Sequence, residues 1–241
     1  MVFGSQRSFE VLVLVLPERL LCRLSSPRDM ALFVFGGQTS CEEFNGEEMR
    51  RVAEAVKAEA GRCGWPVDEV HVCFPPDTTG RKWAIYVPTD AQVAEHRGEY
   101  WDAEQATTNV PRLAGDLYRS AADAWRLVDE AAARKGQVLL AGFSNGAIVA
   151  TEYATTHPER VRGLLLLSGL PASVQQWSVR IGQKAAPPTC LTCGSWERYF
   201  GGRAAFDAVA RDFAADLVLF EGGHCHEKSA TLQDATRRVL R

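Results

Sequence analysis

The chain has 241 residues, 46% of them hydrophobic and 24% charged, with a formal net charge of -3 at pH 7. That composition is ordinary for a globular protein, and the length suits one α/β domain with a substantial core. The acidic balance and the absence of a Lys/Arg stripe exclude a nucleic-acid surface, and no run approaches the roughly 20 apolar residues that span a bilayer.

Seven cysteines are present, Cys22, Cys41, Cys63, Cys73, Cys190, Cys193 and Cys225. The odd number, in a chain too large to need stapling, reads as mostly reduced thiols and a cytoplasmic location. Residues 1–29 read as an extension before the main domain at 30–241. Its apolar run Val11 to Leu16 lies between Glu10 and Pro17, a poor signal-peptide core. The segment is an extra strand, a poorly ordered extension or an Arg-bearing targeting leader.

Short apolar runs then alternate with helical patterns, which predicts a mostly parallel sheet flanked by helices. Ala31 to Phe35 is a strand ended by Gly36 and Gly37. Met49, Val52, Ala53, Val56 and Ala60 recur at helical spacing, with a stop at Gly61. Val70, Val72 and Phe74 alternate as a second strand, stopped by Pro75 and Pro76. Residues 77–108 show no clear period but carry Trp83, Tyr86, Tyr100 and Trp101, a pattern that fits an ordered flap.

Pro111 is expected to open a long helix whose apolar face runs from Leu113 to Ala131, closed by Gly136. Gln137 to Ala141 is a strand and Ala147 to His157 a helix. Val161 to Leu167 is almost wholly apolar, as a central parallel strand is when both of its faces are covered. Thr189 to Cys193 is a strand, Phe206 to Phe213 a helix, Leu217 to Phe220 the last strand, and Leu232 to Val239 the closing helix.

Gly142-Phe143-Ser144-Asn145-Gly146 fits G-x-S-x-G and sits between a strand and a helix. A nucleophile on so sharp a turn needs an unfavourable backbone conformation and small flanking residues. The turn lifts the Ser144 hydroxyl above the sheet and aims the Asn145 N–H where an oxyanion develops. His224, in Gly222-Gly223-His224 after the last strand, is the candidate general base, and His226 ranks second. Glu197, in the turn after the strand Thr189 to Cys193, is the candidate acid that holds the imidazole's tautomer. Asp207 and Asp212 fall in a helix, and Asp216 begins a strand at the wrong end of the sheet. The loop Phe35 to Ser40 offers the second oxyanion donor, the Gly37 N–H, and Gln38 is a substrate-binding candidate beside it. Trp83 and Trp177 fit an acyl pocket or plain packing equally well.

Neither Cys190-Leu191-Thr192-Cys193 nor His224-Cys225-His226 offers a full metal shell, so neither a metal nor an organic cofactor is expected.

At these residues the sequence resembles the phospholipase/carboxylesterase/thioesterase family of α/β-hydrolases, which includes acyl-protein thioesterases. The likeness runs from about Ala31 to the C-terminus. Phe35 to Ser40 looks like the family's H-G-x-G-x-S loop, Phe74-Pro75 with Trp83 like its proline- and tryptophan-bearing flap, and Ala141 to Ala147 like its G-G-F-S-Q-G-G elbow. Leu167 to Pro171, Gly194 to Glu197 and Gly223-His224 resemble its later segments. Phe35 and Cys193 stand where the family has His, Glu197 where it has Asp, and Asn145 where it has Gln. The resemblance implies an α/β-hydrolase fold with a minimal cap, acting on small-molecule or lipidated-protein acyl esters or thioesters. The same triad would serve a peptidase or amidase, and the departures fit a non-catalytic binding relative.

Overall fold

A computed structural model describes residues 29–37, 42–75, 83, 103–171, 186–197, 202–224 and 229–241, with only the backbone described at 42–45 and 103–117. Six strands form one parallel sheet: β1 (Met30–Phe35), β2 (Val67–Cys73), β3 (Val138–Phe143), β4 (Val161–Leu167), β5 (Thr189–Gly194) and β6 (Asp216–Phe220), in the order β2-β1-β3-β4-β5-β6. Among the described residues, five α-helices connect or follow them: α1 (Glu42–Arg62), α2 (Ala103–Lys135), α3 (Asn145–Thr156), α4 (Gly202–Asp212) and α5 (Ser229–Leu240).

The pleat explains the layers. Alternate strand residues face opposite sides, so Leu32, Val34, Leu139, Ala141 and Leu165 share one face with Val52 and Val56 of α1 and Leu232 and Val239 of α5. Phe33, Phe35, Leu140, Leu164 and Leu166 face the other way, onto Trp125 and Val128 of α2, Ile148 and Tyr153 of α3 and Phe206 of α4. Every residue of β1 and β3 is buried, which is why these strands read as unbroken apolar runs. Cys190 joins the first face and Cys193 the second, so the two thiols of the C-x-x-C lie on opposite sides of the sheet.

Two of the departures from the expected helix boundaries have a clear physical reason. Helix α1 runs through Gly61 to Arg62, and the reversal falls at Gly64, where φ is +81°; a positive φ is the conformation that favours glycine. Helix α2 begins at Ala103, eight residues before Pro111. The Ala-, Glu- and Gln-containing stretch ahead of the proline suits a helix by propensity but lacks the apolar period that betrays one. Gly136, with φ +89° and its N–H bonded to the Ala132 carbonyl at 2.7 Å, ends α2 as expected.

The chain order places the site. From β1 the chain moves outward to β2, then returns to the other side of β1 for β3. The crevice outside the carboxyl ends of strands at such a reversal is where ligands bind in open α/β sheets. Phe35 and Gly142 are register partners there, so the loops after β1 and β3 flank one crevice.

Candidate active site

Ser144 occupies the single-residue turn between β3 and α3, with φ 51° and ψ -119°. A non-glycine residue at positive φ costs free energy, of order 1–3 kcal/mol, and persists only where its surroundings hold it. They do so on every side. The Ser144 N–H donates to the Leu167 carbonyl at 2.9 Å, and its carbonyl accepts from Ala147 N–H at 3.0 Å. A Cβ on Gly142 would lie 2.3 Å from the Gly146 carbonyl oxygen, and one on Gly146 would lie 2.1 Å from that of Phe35. Both glycines of G-x-S-x-G are thus required by backbone approaching backbone.

His224 follows β6, and its Nε2 lies 2.8 Å from Ser144 Oγ. Its Nδ1 lies 2.9 Å from Glu197 Oε2. A carboxylate oxygen only accepts, so Nδ1 carries the proton and Nε2 is left to accept the Ser144 O–H. The Glu197 side chain is fully withdrawn from water while the imidazole keeps 18% of its surface. The Nδ1 bond is therefore shielded on its carboxylate side. The Phe143 ring lies against the imidazole, with centroids 5.7 Å apart.

The turn bearing Glu197 and the loop bearing His224 are joined directly. Ser195 N–H donates to the Phe220 carbonyl and Trp196 N–H to the Gly222 carbonyl, both at 2.9 Å, and Glu197 N–H closes its own turn on Gly194 at 3.1 Å. The added methylene of Glu over Asp is accommodated, since the carboxylate reaches Nδ1 at ordinary hydrogen-bond length.

Asn145 is the first residue of α3 and is buried. First-turn N–H groups have no carbonyl partner within their own helix, which makes this terminus a natural receptor for developing negative charge. Gly37 lies against the nucleophile: a Cβ added to it would meet Ser144 Cβ at 3.3 Å and the Phe143 ring at 3.2 Å. Phe35 and Cys193, which replace two histidines of the resembled family, are both fully buried in the apolar cluster. Trp83 is buried as well, edge-on to Phe35 at 6.3 Å, and its indole N–H donates to the Gly36 carbonyl at 2.9 Å. Among the described contacts Trp83 thus braces the loop. Gln38, Trp177 and His226 lie outside the described residues.

Sequence reasoning missed the support under the elbow. Gly169, after β4, sits where a Cβ would lie 2.3 Å from the Ser144 carbonyl oxygen. Ser168 beside it has φ 45° and donates its N–H to Thr192 Oγ1 at 3.1 Å. The Ser-Gly pair at the end of an apolar strand was the available signal.

The Phospholipase/Carboxylesterase family profile matches residues 115–200, a stretch that includes Ser144 and Glu197. Among solved structures the chain is similar to esterase PE8, at 19% identity and TM-score 0.55, covering 88% of this chain and 92% of that one. The fold is that of the α/β-hydrolases. A SOBER1 variant from Arabidopsis thaliana shares it at 13% identity and TM-score 0.55, covering 88% of this chain and all of its own. So does the Bacillus cereus carboxylesterase, at 13% identity and TM-score 0.51, covering 87% of each chain. A search of curated proteins finds no match. The family match supports a hydrolase. Among the described residues, no helix of this α/β-hydrolase fold is long and apolar enough to cross a membrane.

Proposed function

We propose that residues 30–241 form a serine hydrolase that cleaves carboxylic esters or acyl thioesters, of small molecules or of lipidated proteins, with Ser144 as nucleophile, His224 as general base and Glu197 as the acid that orients it. The observation that carries this reading is a pair of hydrogen bonds in series, 2.8 Å from Ser144 Oγ to His224 Nε2 and 2.9 Å from His224 Nδ1 to Glu197 Oε2, on a serine held at positive φ.

Ser144 Oγ attacks the acyl carbon as its proton passes to His224 Nε2. The carbonyl oxygen becomes an oxyanion facing the N–H groups of Gly37 and Asn145, each such donor being worth about 3–4 kcal/mol in the transition state. The intermediate collapses, the bond to the leaving group breaks, and His224 returns the proton to the departing alkoxide or thiolate. Water then attacks the acyl-serine, giving its proton to His224. The second collapse releases the acid and restores the Ser144 hydroxyl. Glu197 stabilises the imidazolium formed twice in the cycle without taking its proton.

The test compares p-nitrophenyl esters, long-chain acyl thioesters and peptides on the wild type and on Ser144→Ala. The reading predicts ester or thioester turnover that the substitution abolishes. Turnover confined to peptides would make the chain an amidase, and none at all would favour a binding role.

A further inference from the structure

The Gly36 carbonyl and the Gly37 N–H belong to one peptide unit. In a trans peptide these two groups point in opposite directions, and the unit is rigid; the described residues contain no cis peptide bond. Whatever holds the Gly36 oxygen therefore decides where the Gly37 N–H points. A hydrogen bond to it comes from Trp83, whose indole N–H reaches that oxygen at 2.9 Å from 47 residues along the chain.

The restraint matters because the loop's own residues supply none of it. Two successive glycines allow nearly any backbone orientation. The loop's other anchor, Gly36 N–H to the Cys73 carbonyl at 2.9 Å, fixes the preceding peptide, and the Gly36 oxygen also packs beside Gly146, where an added Cβ would lie 2.7 Å from it. Trp83 is itself immobilised, only 1% exposed and packed edge-on against Phe35. Gly37 meanwhile lies against Ser144 and Phe143. A flip of this peptide would present a carbonyl oxygen to the oxyanion in place of a donor.

We infer that Trp83 is a positioning residue that sets the orientation of the Gly37 N–H by hydrogen-bonding the carbonyl of the same peptide unit, and so keeps the oxyanion site formed before substrate arrives. This rests on the hydrolase reading above. The described contacts of Trp83 are with Gly36 and Phe35, so as a positioning residue it contributes to the transition state rather than to substrate binding.

Trp83→Phe keeps an aromatic ring and removes the donor. In a folded variant, kcat on a p-nitrophenyl ester should fall roughly 10- to 100-fold, by analogy with losing an oxyanion donor, with KM within about twofold of wild type. Affinity for a trifluoromethyl ketone, which adds to Ser144 as a tetrahedral oxyanion, should fall by the same factor as kcat. Unchanged kcat and ketone affinity in folded Trp83→Phe would overturn the inference. If the variant does not fold, nuclear magnetic resonance on the wild type decides. Ketone binding should move the Gly37 amide proton downfield while the Trp83 indole N–H stays protected from exchange. An unmoved Gly37 amide, or a freely exchanging indole, would overturn the role of Trp83 while leaving Ser144 in place. Turnover or ketone binding that survives Ser144→Ala would instead overturn the hydrolase reading, and the role of Gly37 with it.

Discussion

Gly194 lies so close to Gly223 that a Cβ built on it would sit 2.4 Å from the Gly223 carbonyl oxygen, and 2.5 Å from that of Gly222. The contact lies where the turn after β5 meets the loop after β6, three residues before Glu197 and one before His224. It lets the two backbones approach closely enough for the imidazole and the carboxylate to meet at 2.9 Å.

Replacing Gly194 with Ala should therefore push the His224 loop away. The expected cost is about 1–3 kcal/mol of stability from overpacking and a drop in kcat/KM on the order of 10²-fold from displacing the imidazole. Thermal unfolding and ester kinetics measure both. Wild-type values for each would mean that the contact relaxes without moving His224.

Glu197→Gln keeps the shape and removes the charge. The amide can also present its NH₂ to Nδ1, which favours the wrong tautomer. A fall in kcat of roughly 10²- to 10⁴-fold is expected at nearly unchanged melting temperature. Retention of full activity would assign the acid elsewhere.

Gly146→Ala and Gly61→Ala form a matched pair. At Gly146 a Cβ would meet backbone oxygen at 2.1 Å, and at Gly61 it meets nothing within 4 Å. Gly61 lies in the last turn of α1, so alanine there should stabilise by about 0.4–1 kcal/mol through the unfolded chain's lost entropy. Gly146→Ala should leave little folded protein. Circular dichroism melts of both variants test the contrast.

Alkaline pH should destabilise the fold. Burial pushes the Cys73 thiol from 9.0 up to about 12, as it does for Cys190 and Cys193, with smaller contributions from Asp216 at Cys190 and Glu197 at Cys193. The unfolded chain releases these protons first, so their stabilisation is complete below about pH 9 and is lost as pH rises from there toward about 12. Melting temperature followed from pH 8 to pH 11 should fall, and Cys193→Ala should make the decline shallower. A flat profile across that range would contradict the burial argument.

Much of this was legible because the chemistry constrains spelling locally. An elbow needs small residues around its serine, so Gly142 and Gly146 announce Ser144 in five letters. Gly-Gly-His after the last apolar run marks His224, and the turn after β5 leaves Glu197 as the carboxylate on the right side of the sheet. What stayed hidden was set by partners far along the chain. Trp83 read equally well as pocket or packing, because its acceptor, the Gly36 carbonyl, has no sequence signature. The role of Gly194 has no local mark, since the backbone it accommodates lies almost 30 residues onward. The early start of α2 escaped because Ala103 to Asn109 shows no apolar stripe and Pro111 mimics a helix beginning.

The most direct test is covalent labelling with a fluorophosphonate probe, followed by peptide mass mapping, on wild type, Ser144→Ala and His224→Ala. Only a serine whose proton is drawn off by a neighbouring base reacts readily with such a probe. The account predicts one adduct, on the peptide containing Ser144, absent in Ser144→Ala and strongly slowed in His224→Ala. Folded wild-type protein that takes up no label, or takes it up at the same rate without the imidazole, would contradict it.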